Sequence, residues 1–158
     1  MNEYNIGYLN GILNAFAHIN NGNYRAYDFG LKSLPNDKSL KDSLQDQFYD
    51  YSEVFDLNII KENHWNFLKE ILLDQLFDYQ HNHNPIIDSS KSYSLFDRSF
   101  QEDFVLDFLN TLYYSSDVKN IYKLELKNLK KHYAVSSLNI IIEMEDKTNF
   151  ILHFSSHD

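Results

Sequence analysis

The change of hydrophobic period near Val118 constrains the fold of this chain more than any other feature of its sequence. Before it, apolar residues recur mostly at three- and four-residue steps, the spacing of one buried side of a helix. After it, Tyr122 and Leu124 alternate with charged residues, as on a strand with one buried side. The sequence therefore predicts an α+β fold in which residues 1–117 are mainly helical and residues 118–158 mainly β.

The helical part divides into about four to five predicted helices. The longest is Ile59–Tyr79, which contains no Gly or Pro and places the only tryptophan, Trp65, on a broad apolar side. We expect it to be the central core helix. A first helix is predicted over residues 3–20, and a short second one from Tyr24 to Leu34, before Pro35.

Two further helices have recognisable starts. Ser39 can cap a helix whose buried side carries apolar residues at helical spacing as far as Phe55. Ser99 and Glu102 have the spacing of a capping box, in which each side chain bonds the other residue's backbone N–H. We expect another helix to follow Ser99. Between the central helix and Ser99, the segment 81–97 is polar and Ser-rich, and is predicted to be a long loop or a contact surface.

The C-terminal part is predicted to form an antiparallel sheet of about three strands. The second and third strands are centred on Ile140 and Leu152 and are joined by the turn-forming residues Asp146–Asn149. We expect one side of the sheet to pack on the helices and the other to face largely water. No linker or internal repeat divides the 158 residues, which favours a single domain over 1–158.

The charge of the chain is negative and unevenly distributed. Formal net charge is −9, and residues 1–117 alone carry 18 acidic and 8 basic side chains, a net of −10. Such a field repels nucleic acid and anionic lipid and attracts basic proteins, so neither a nucleic-acid nor a membrane partner is expected. The uncharged run Tyr4–Tyr24 is interrupted by asparagines, unlike a membrane span. Together with the absence of cysteine, this favours a cytoplasmic protein.

Acidic residues recur at four-residue spacing along the predicted helices, so that they stack on one side of each. These are the candidate partner-binding residues. They are Asp42, Asp46, Asp50 and Glu53, then Glu70, Asp74 and Asp78, and finally Asp103 and Asp107. Carboxylates four residues apart are about 6 Å apart along a helix axis, similar to the phosphate spacing of a nucleic-acid strand. Such a helix can occupy the basic cleft of a nuclease.

The histidines are the only metal-ligating candidates besides the carboxylates. His81 and His83 lie two apart in the predicted loop, and His153 and His157 lie four apart near the end of the chain. Zinc requires three or four converging ligands, and neither pair belongs to a recognised zinc motif. If Leu152 points into the core, His153 points to the opposite, wetter side of its strand. We therefore expect no metal and structural or solvated histidines.

No other arrangement of residues indicates catalysis or a cofactor. Ser155, Ser156, His157 and Asp158 contain the residue types of a hydrolase triad, but a triad converges in space and is not contiguous at a chain end. No phosphate-binding glycine loop or nucleophile elbow is present. A small basic patch is formed by Lys123, Lys127, Lys130 and Lys131 and is interpreted as protection of a sheet edge.

A small, acidic, cysteine-free domain of this kind resembles the immunity proteins of bacterial toxin–immunity pairs, in particular those of contact-dependent growth inhibition. The resemblance is carried by the stripes Asp42/Asp46/Asp50 and Glu70/Asp74/Asp78 on a helical body with a terminal sheet. It implies stoichiometric, non-catalytic binding of one cognate toxin domain, expected to be basic and for which a nuclease is one candidate.

Two other functions remain open at this stage. One is a different regulatory or adaptor protein whose acidic helices imitate DNA. The other is an enzyme with a site built from scattered residues, for which His64, His81 and His83 are the candidates. The binding hypothesis carries its own expectation: changing Asp42, Asp46 and Asp50 to Lys slows association with a basic partner and leaves folding intact.

Overall fold

The computed structural model describes residues 3–21, 26–77, 99–114, 116–131 and 133–157. Four helices and five strands lie within these ranges. In chain order they are α1 (Glu3–Asn20), β1 (Ala26–Leu34), α2 (Leu40–Phe48), β2 (Val54–Ile59), α3 (His64–Leu76), α4 (Phe100–Tyr113), β3 (Val118–Lys127), β4 (Ser136–Met144) and β5 (Asn149–His157).

The five strands form one antiparallel sheet in the order β1-β5-β4-β3-β2. The α+β class is confirmed, and the three predicted C-terminal strands are the central strands β3, β4 and β5. The predicted size of the sheet is wrong, because β1 and β2 from the helical part of the chain extend it to five strands. The boundary drawn at residue 117 therefore separates strands that lie in the same sheet.

The helix predicted from Tyr24 to Leu34 is instead the edge strand β1. It pairs with β5 along its whole length, from Ala26 opposite His157 to Leu34 opposite Asn149. Apolar residues in this segment fit a three- and four-residue spacing and a two-residue spacing equally well. The ladder of hydrogen bonds to β5 decides between the two periods.

The helix that begins after Ser39 is shorter than predicted. Ser39 does cap α2, because its hydroxyl oxygen accepts the backbone N–H of Asp42 at 3.1 Å. The helix ends at Phe48, and Phe55 lies on strand β2, which pairs with β3. The turn between them is held by the buried Ser52, whose hydroxyl contacts the carbonyl oxygen of Lys127 next to β2.

Helices α3 and α4 occupy the predicted regions, but α3 begins later than predicted. Ile59 ends β2, and α3 begins at His64, after Asn63 caps it by accepting the N–H of Asn66 at 3.0 Å. The predicted end of this helix at Tyr79 lies outside the described residues. The capping box of α4 is confirmed: the Ser99 hydroxyl accepts the Glu102 N–H at 3.2 Å, and the Glu102 carboxylate accepts the Ser99 N–H at 3.3 Å.

Three helices cover one side of the sheet, which we call the first face. Their buried residues pack against alternate residues of β1, β5, β4 and β3, and Phe16 of α1 links the layer by edge-to-face contacts with Phe77 and Phe104. Trp65 lies beside Tyr113, so the start of α3 is next to the end of α4. This α1/α3/α4 layer forms the larger core.

The other side of the sheet, the second face, is covered by α2. Leu44 and Phe48 pack against Leu124, Ile141 and Ile151 there. Because the central strands are enclosed on both sides, the successive residues Ile140, Ile141 and Ile142 are all fully buried. The predicted water-facing side of the sheet is therefore wrong at its centre, and the sheet, rather than a central helix, organises the core.

Helix α1 also protects the edge of the sheet. The Asn10 side chain donates to the carbonyl oxygen of Leu31 and accepts the N–H of Leu31, both at 2.8 Å, and so occupies backbone groups on the open side of β1. None of the helices among the described residues has both the length and the apolar character needed to cross a bilayer.

Candidate functional site

The first set of predicted partner-binding residues lies around α2 and does not form a single helical stripe. Asp42 and Asp46 are on the helix, whereas Asp50 and Glu53 lie in the turn after it. All four are exposed. Only Asp42 and Asp46 are therefore stacked one helical turn apart, as the four-residue spacing predicts.

Lysines neutralise much of this acidic set. Lys38 bonds Asp46 at 2.6 Å, which raises the pKa of Lys38, while Lys130 and Lys131 reach across from the segment after β3. The ion-pair distances are 2.6 Å for Lys130–Glu53 and 3.9 Å for Lys131–Asp50. The segment 37–53 contains five acidic residues and two lysines, Lys38 and Lys41, and with Lys130 and Lys131 the net charge of this region is −1.

The basic patch is explained by the same contacts. β3 is not an edge strand, because β2 pairs with it, so its lysines do not protect an edge as predicted. Lys127 lies 3.5 Å from Asp56 and 3.3 Å from Glu125. Lys130 and Lys131 also lie over the rings of Tyr49 and Tyr51. The patch therefore holds the turn after α2 against the end of β3.

The second set of acidic residues lies in the α1/α3/α4 layer, on the opposite side of the sheet from α2. Glu70 and Asp74 are exposed on α3, and Asp107 is exposed on α4, whereas Asp103 is partly buried there. Asp78 lies outside the described residues. The sequence-predicted residues are therefore divided between two layers and cannot contact one flat partner surface together.

The α1/α3/α4 layer concentrates the negative charge. Its three helices contain six acidic residues and a single lysine, a net of −5. That lysine, Lys69, bonds Glu102 at 3.1 Å, and this bond is the main cause of the lowered pKa of Glu102. No other Lys or Arg lies within these helices, so Glu70, Asp74 and Asp107 face solvent without a cation from their own layer.

One tyrosine contacts a carboxylate at the seam between α1 and α4, and two more are exposed on α1 and at the end of α4. The Tyr8 hydroxyl donates to the Asp107 carboxylate at 2.6 Å, which raises the pKa of Tyr8. Tyr4 and Tyr114 are 80% and 85% exposed. A shallow cleft of about 300 Å³ beside Asn110 and Tyr114 continues the seam. Tyrosine is enriched in surfaces that bind other proteins.

A second candidate site lies on the second face, where α2 leaves part of the sheet uncovered. We call it the α2 groove. It encloses about 390 Å³ between α2 and the strands β1, β5 and β4. Its floor includes Gly30, Ile151 and His153, and its walls include Phe48 and Tyr51. Sites of this volume hold small organic ligands.

A hydrogen-bond network holds the floor of the α2 groove. The Asn139 oxygen, which can only accept, receives the His153 Nδ1–H at 2.8 Å and the Tyr133 hydroxyl at 3.3 Å. His153 Nε2 therefore accepts from the Ser155 hydroxyl at 3.0 Å, and Ser155 Oγ accepts from His157 Nε2 at 3.1 Å. Both nitrogens of His153 are thus engaged within the protein.

Burial sets the protonation of this network. It lowers the pKa of His153, opposed by the Asp28 carboxylate 4.0 Å away and reinforced by His157. It also raises the pKa of Tyr133 to about 12. At neutral pH the imidazole is therefore neutral and the phenol protonated, which matches the hydrogen bonds described.

The lowered pKa of His153 predicts a loss of stability in mild acid. The pKa of His153 is lower in the folded protein than its unfolded value of about 6.5, so as pH falls the unfolded chain binds a proton first. The stability that is present above about pH 6.5 is therefore lost as pH falls toward the folded pKa. Between about pH 7.5 and about pH 5.5 the melting temperature should fall more in the native protein than in His153→Gln. Equal decreases in the two proteins, measured by thermal unfolding in matched buffers, would contradict this role.

The network does not itself indicate catalysis or metal binding. Ser155, His153 and Asn139 follow the order of nucleophile, base and orienting residue, but Ser155 is only 4% exposed and lies between two imidazoles. Among the residues that the structure describes, no three His, Asp or Glu side chains converge as metal ligands. His81 and His83 lie outside those residues, and His64 begins α3.

Two signals in the sequence could have indicated the α2 groove. His153, Ser155 and His157 occupy alternate positions along β5, so all three lie on one side of the strand. Asn139 is an amide within an otherwise apolar strand core, where it needs a buried partner. That Asp28, Tyr51 and Tyr133 also belong there could not be read from spacing.

Comparisons with protein-family models, with curated proteins and with solved structures found no match for this chain.

Proposed function

We propose that this protein is an immunity protein, a stoichiometric inhibitor that binds and neutralises a basic toxin domain in the cytoplasm without catalysis. The surface proposed to bind is the solvent side of the α1/α3/α4 layer. The observation that carries the proposal is the charge of these three helices, where six acidic residues and one lysine give a net charge of −5. Charge of one sign on one layer steers a partner of opposite charge to that layer.

The composition of this surface supports protein recognition. Tyr4, Tyr8 and Tyr114 supply large contact area at low conformational cost, and Tyr8 is held in place by its bond to Asp107. Glu70 and Asp74 are one helical turn apart, so they match basic side chains that otherwise contact successive phosphates. A nuclease domain is therefore a suitable partner class, as the charge pattern of the sequence suggested.

The acidic residues on α2 and in the turn after it are the weaker candidate for the same interface. Asp46, Asp50 and Glu53 already pair with lysines of this chain, and a partner would have to displace those lysines or accept a nearly neutral surface. Exposed ion pairs of this kind cost little to break, so α2 can still contribute at the edge of the contact. The main attraction is assigned to α3 and α4.

Rescue from a toxin tests the proposal directly. The product of the coding region immediately upstream is expressed in cells with and without this protein, and the two purified proteins are mixed in solution. We expect restored growth and a one-to-one complex that blocks the toxin's activity. A toxin from an unrelated pair serves as the control and should be neither bound nor neutralised. The proposed function would be contradicted if this protein did not relieve the growth arrest. It would also be contradicted if the upstream product neither arrested growth nor bound this protein.

A further inference from the structure

The floor of the α2 groove contains a glycine that neither the backbone nor core packing requires. Gly30 has no positive φ, and a Cβ at this position would meet only Asn10 Oδ1, at an ordinary contact distance of 3.7 Å. Glycine weakens a strand, and in a strand interior it often marks a bulge, a bend, or the close approach of a ligand or another backbone. The β1–β5 register is regular through Gly30, so no bulge accounts for it. Gly30 lies directly opposite His153 in the β1–β5 ladder, so the missing side chain leaves one side of that imidazole open to the groove.

The rest of the groove is lined largely by the flat surfaces of ring side chains. Both nitrogens of His153 are engaged, so the ring presents its face, and it is 20% exposed. Tyr133 stands edge-to-face against Tyr51 at 4.8 Å and Phe48 at 6.1 Å between ring centroids. Such walls favour an apolar or aromatic body of a small molecule.

The charges of the groove are opposite and lie on either side of Gly30. Asp28 and Lys32 are on the same side of β1, with their Cα atoms about 13 Å apart by strand geometry. The Asp28 side chain is 70% exposed, and the Lys32 ammonium bonds Gln47 at the rim. With His153 neutral, the lining carries one negative and one positive charge. A net-neutral ligand with separated charges is therefore complementary.

We propose that the α2 groove binds a short zwitterionic peptide with an aromatic side chain, its ammonium next to Asp28 and its carboxylate next to Lys32. An extended dipeptide spans about 7 Å, and the two protein side chains cover the remaining distance. The aromatic side chain lies over His153 and Gly30, against the wall formed by Tyr51 and Tyr133. This site lies across the sheet from the proposed toxin-binding surface and does not depend on it.

Titration with glycyl-phenylalanine and phenylalanyl-glycine tests this site. Binding is followed by NMR or calorimetry, and at least one of the two peptides should bind saturably. The same peptide with an acetylated amino end and an amidated carboxyl end should bind about 10-fold more weakly, because both charge pairs are lost. Equal binding of the blocked peptide, or no saturable binding of either free peptide, would overturn the proposal.

A groove-filling variant tests the location. Gly30→Val places a β-branched side chain on the floor, where it should abolish peptide binding while the melting temperature stays equal or rises, because valine favours a strand. Gly7→Ala on α1, where an added Cβ meets nothing within 4 Å, is the matched control and should bind normally.

Removing the charges tests the orientation of the peptide. Asp28→Asn and Lys32→Met, which keep the shape of the groove, should each weaken binding. Unchanged affinity in Gly30→Val, or in both charge variants, would place the peptide elsewhere and refute the site.

Discussion

Changing Glu70, Asp74 and Asp107 together to lysine is expected to slow association with the cognate toxin by about 10- to 1,000-fold at low salt. The three carboxylates are exposed on the α1/α3/α4 layer, which contains only one lysine. Reversal changes the charge of that layer from −5 to +1, so the long-range attraction to a basic partner becomes repulsion. The effect should fall as salt is added, because exposed charges are screened. Stopped-flow association measured over a range of salt concentrations gives the rates.

The triple variant Asp42→Lys, Asp46→Lys and Asp50→Lys is the matched control. It changes the net charge of the protein by the same amount, from −9 to −3, on the opposite side of the sheet. If the α1/α3/α4 layer is the interface, this variant should slow association much less than the α3/α4 variant does. Equal slowing by both would show that only total charge matters. Greater slowing by the α2 variant would move the interface to α2, as the stripe in the sequence first suggested. Circular dichroism should confirm that both variants are folded.

Phe16→Ala is expected to reduce the free energy of unfolding by about 3–5 kcal/mol. Phe16 is buried where α1, α3 and α4 meet, with ring centroids 4.9 Å from Phe77 and 5.4 Å from Phe104. Its removal leaves a cavity among three helices and deletes two edge-to-face contacts, each worth about 0.5–1.5 kcal/mol beyond buried area. Urea unfolding followed by fluorescence measures the change.

Tyr4→Ala is the control for this experiment, because it also removes an aromatic ring from α1 but at an exposed position. It should change the free energy of unfolding by no more than about 0.5 kcal/mol. A loss below about 1 kcal/mol in Phe16→Ala would mean that the three helices repack around the missing ring, and that their relative positions are less fixed than the contacts imply.

Local signals in the sequence correctly identified features that depend on neighbouring residues only. The caps at Ser39 and Ser99 each form a bond to a residue three positions away, and both are present. The strands β4 and β5 are joined by a short turn, so their alternating pattern is sufficient to pair them. The α+β class follows from the same two periods.

Features that depend on distant pairing were predicted incorrectly or missed. β1 pairs with β5, where Asp28 lies opposite Ser155. Helix α2 is shorter than predicted because the residues that follow it form β2, which pairs with β3. The period of a nine-residue segment is compatible with a helix until a partner strand takes up its backbone hydrogen bonds. Lys130 and Lys131 likewise reach Glu53 and Asp50 only because β2 and β3 are neighbours.

The sequence by itself determined the class of fold, the caps of α2 and α4 and the excess of negative charge, because these depend on composition and on short spacings. Only the tertiary structure decided which carboxylates share a layer and which are neutralised by lysine. It alone joined Gly30, Tyr51, Tyr133 and His153 in one groove. The physical reason is that charge and shape at a surface depend on distances between side chains, and a sheet whose first strand pairs with its last sets those distances between residues far apart in the chain.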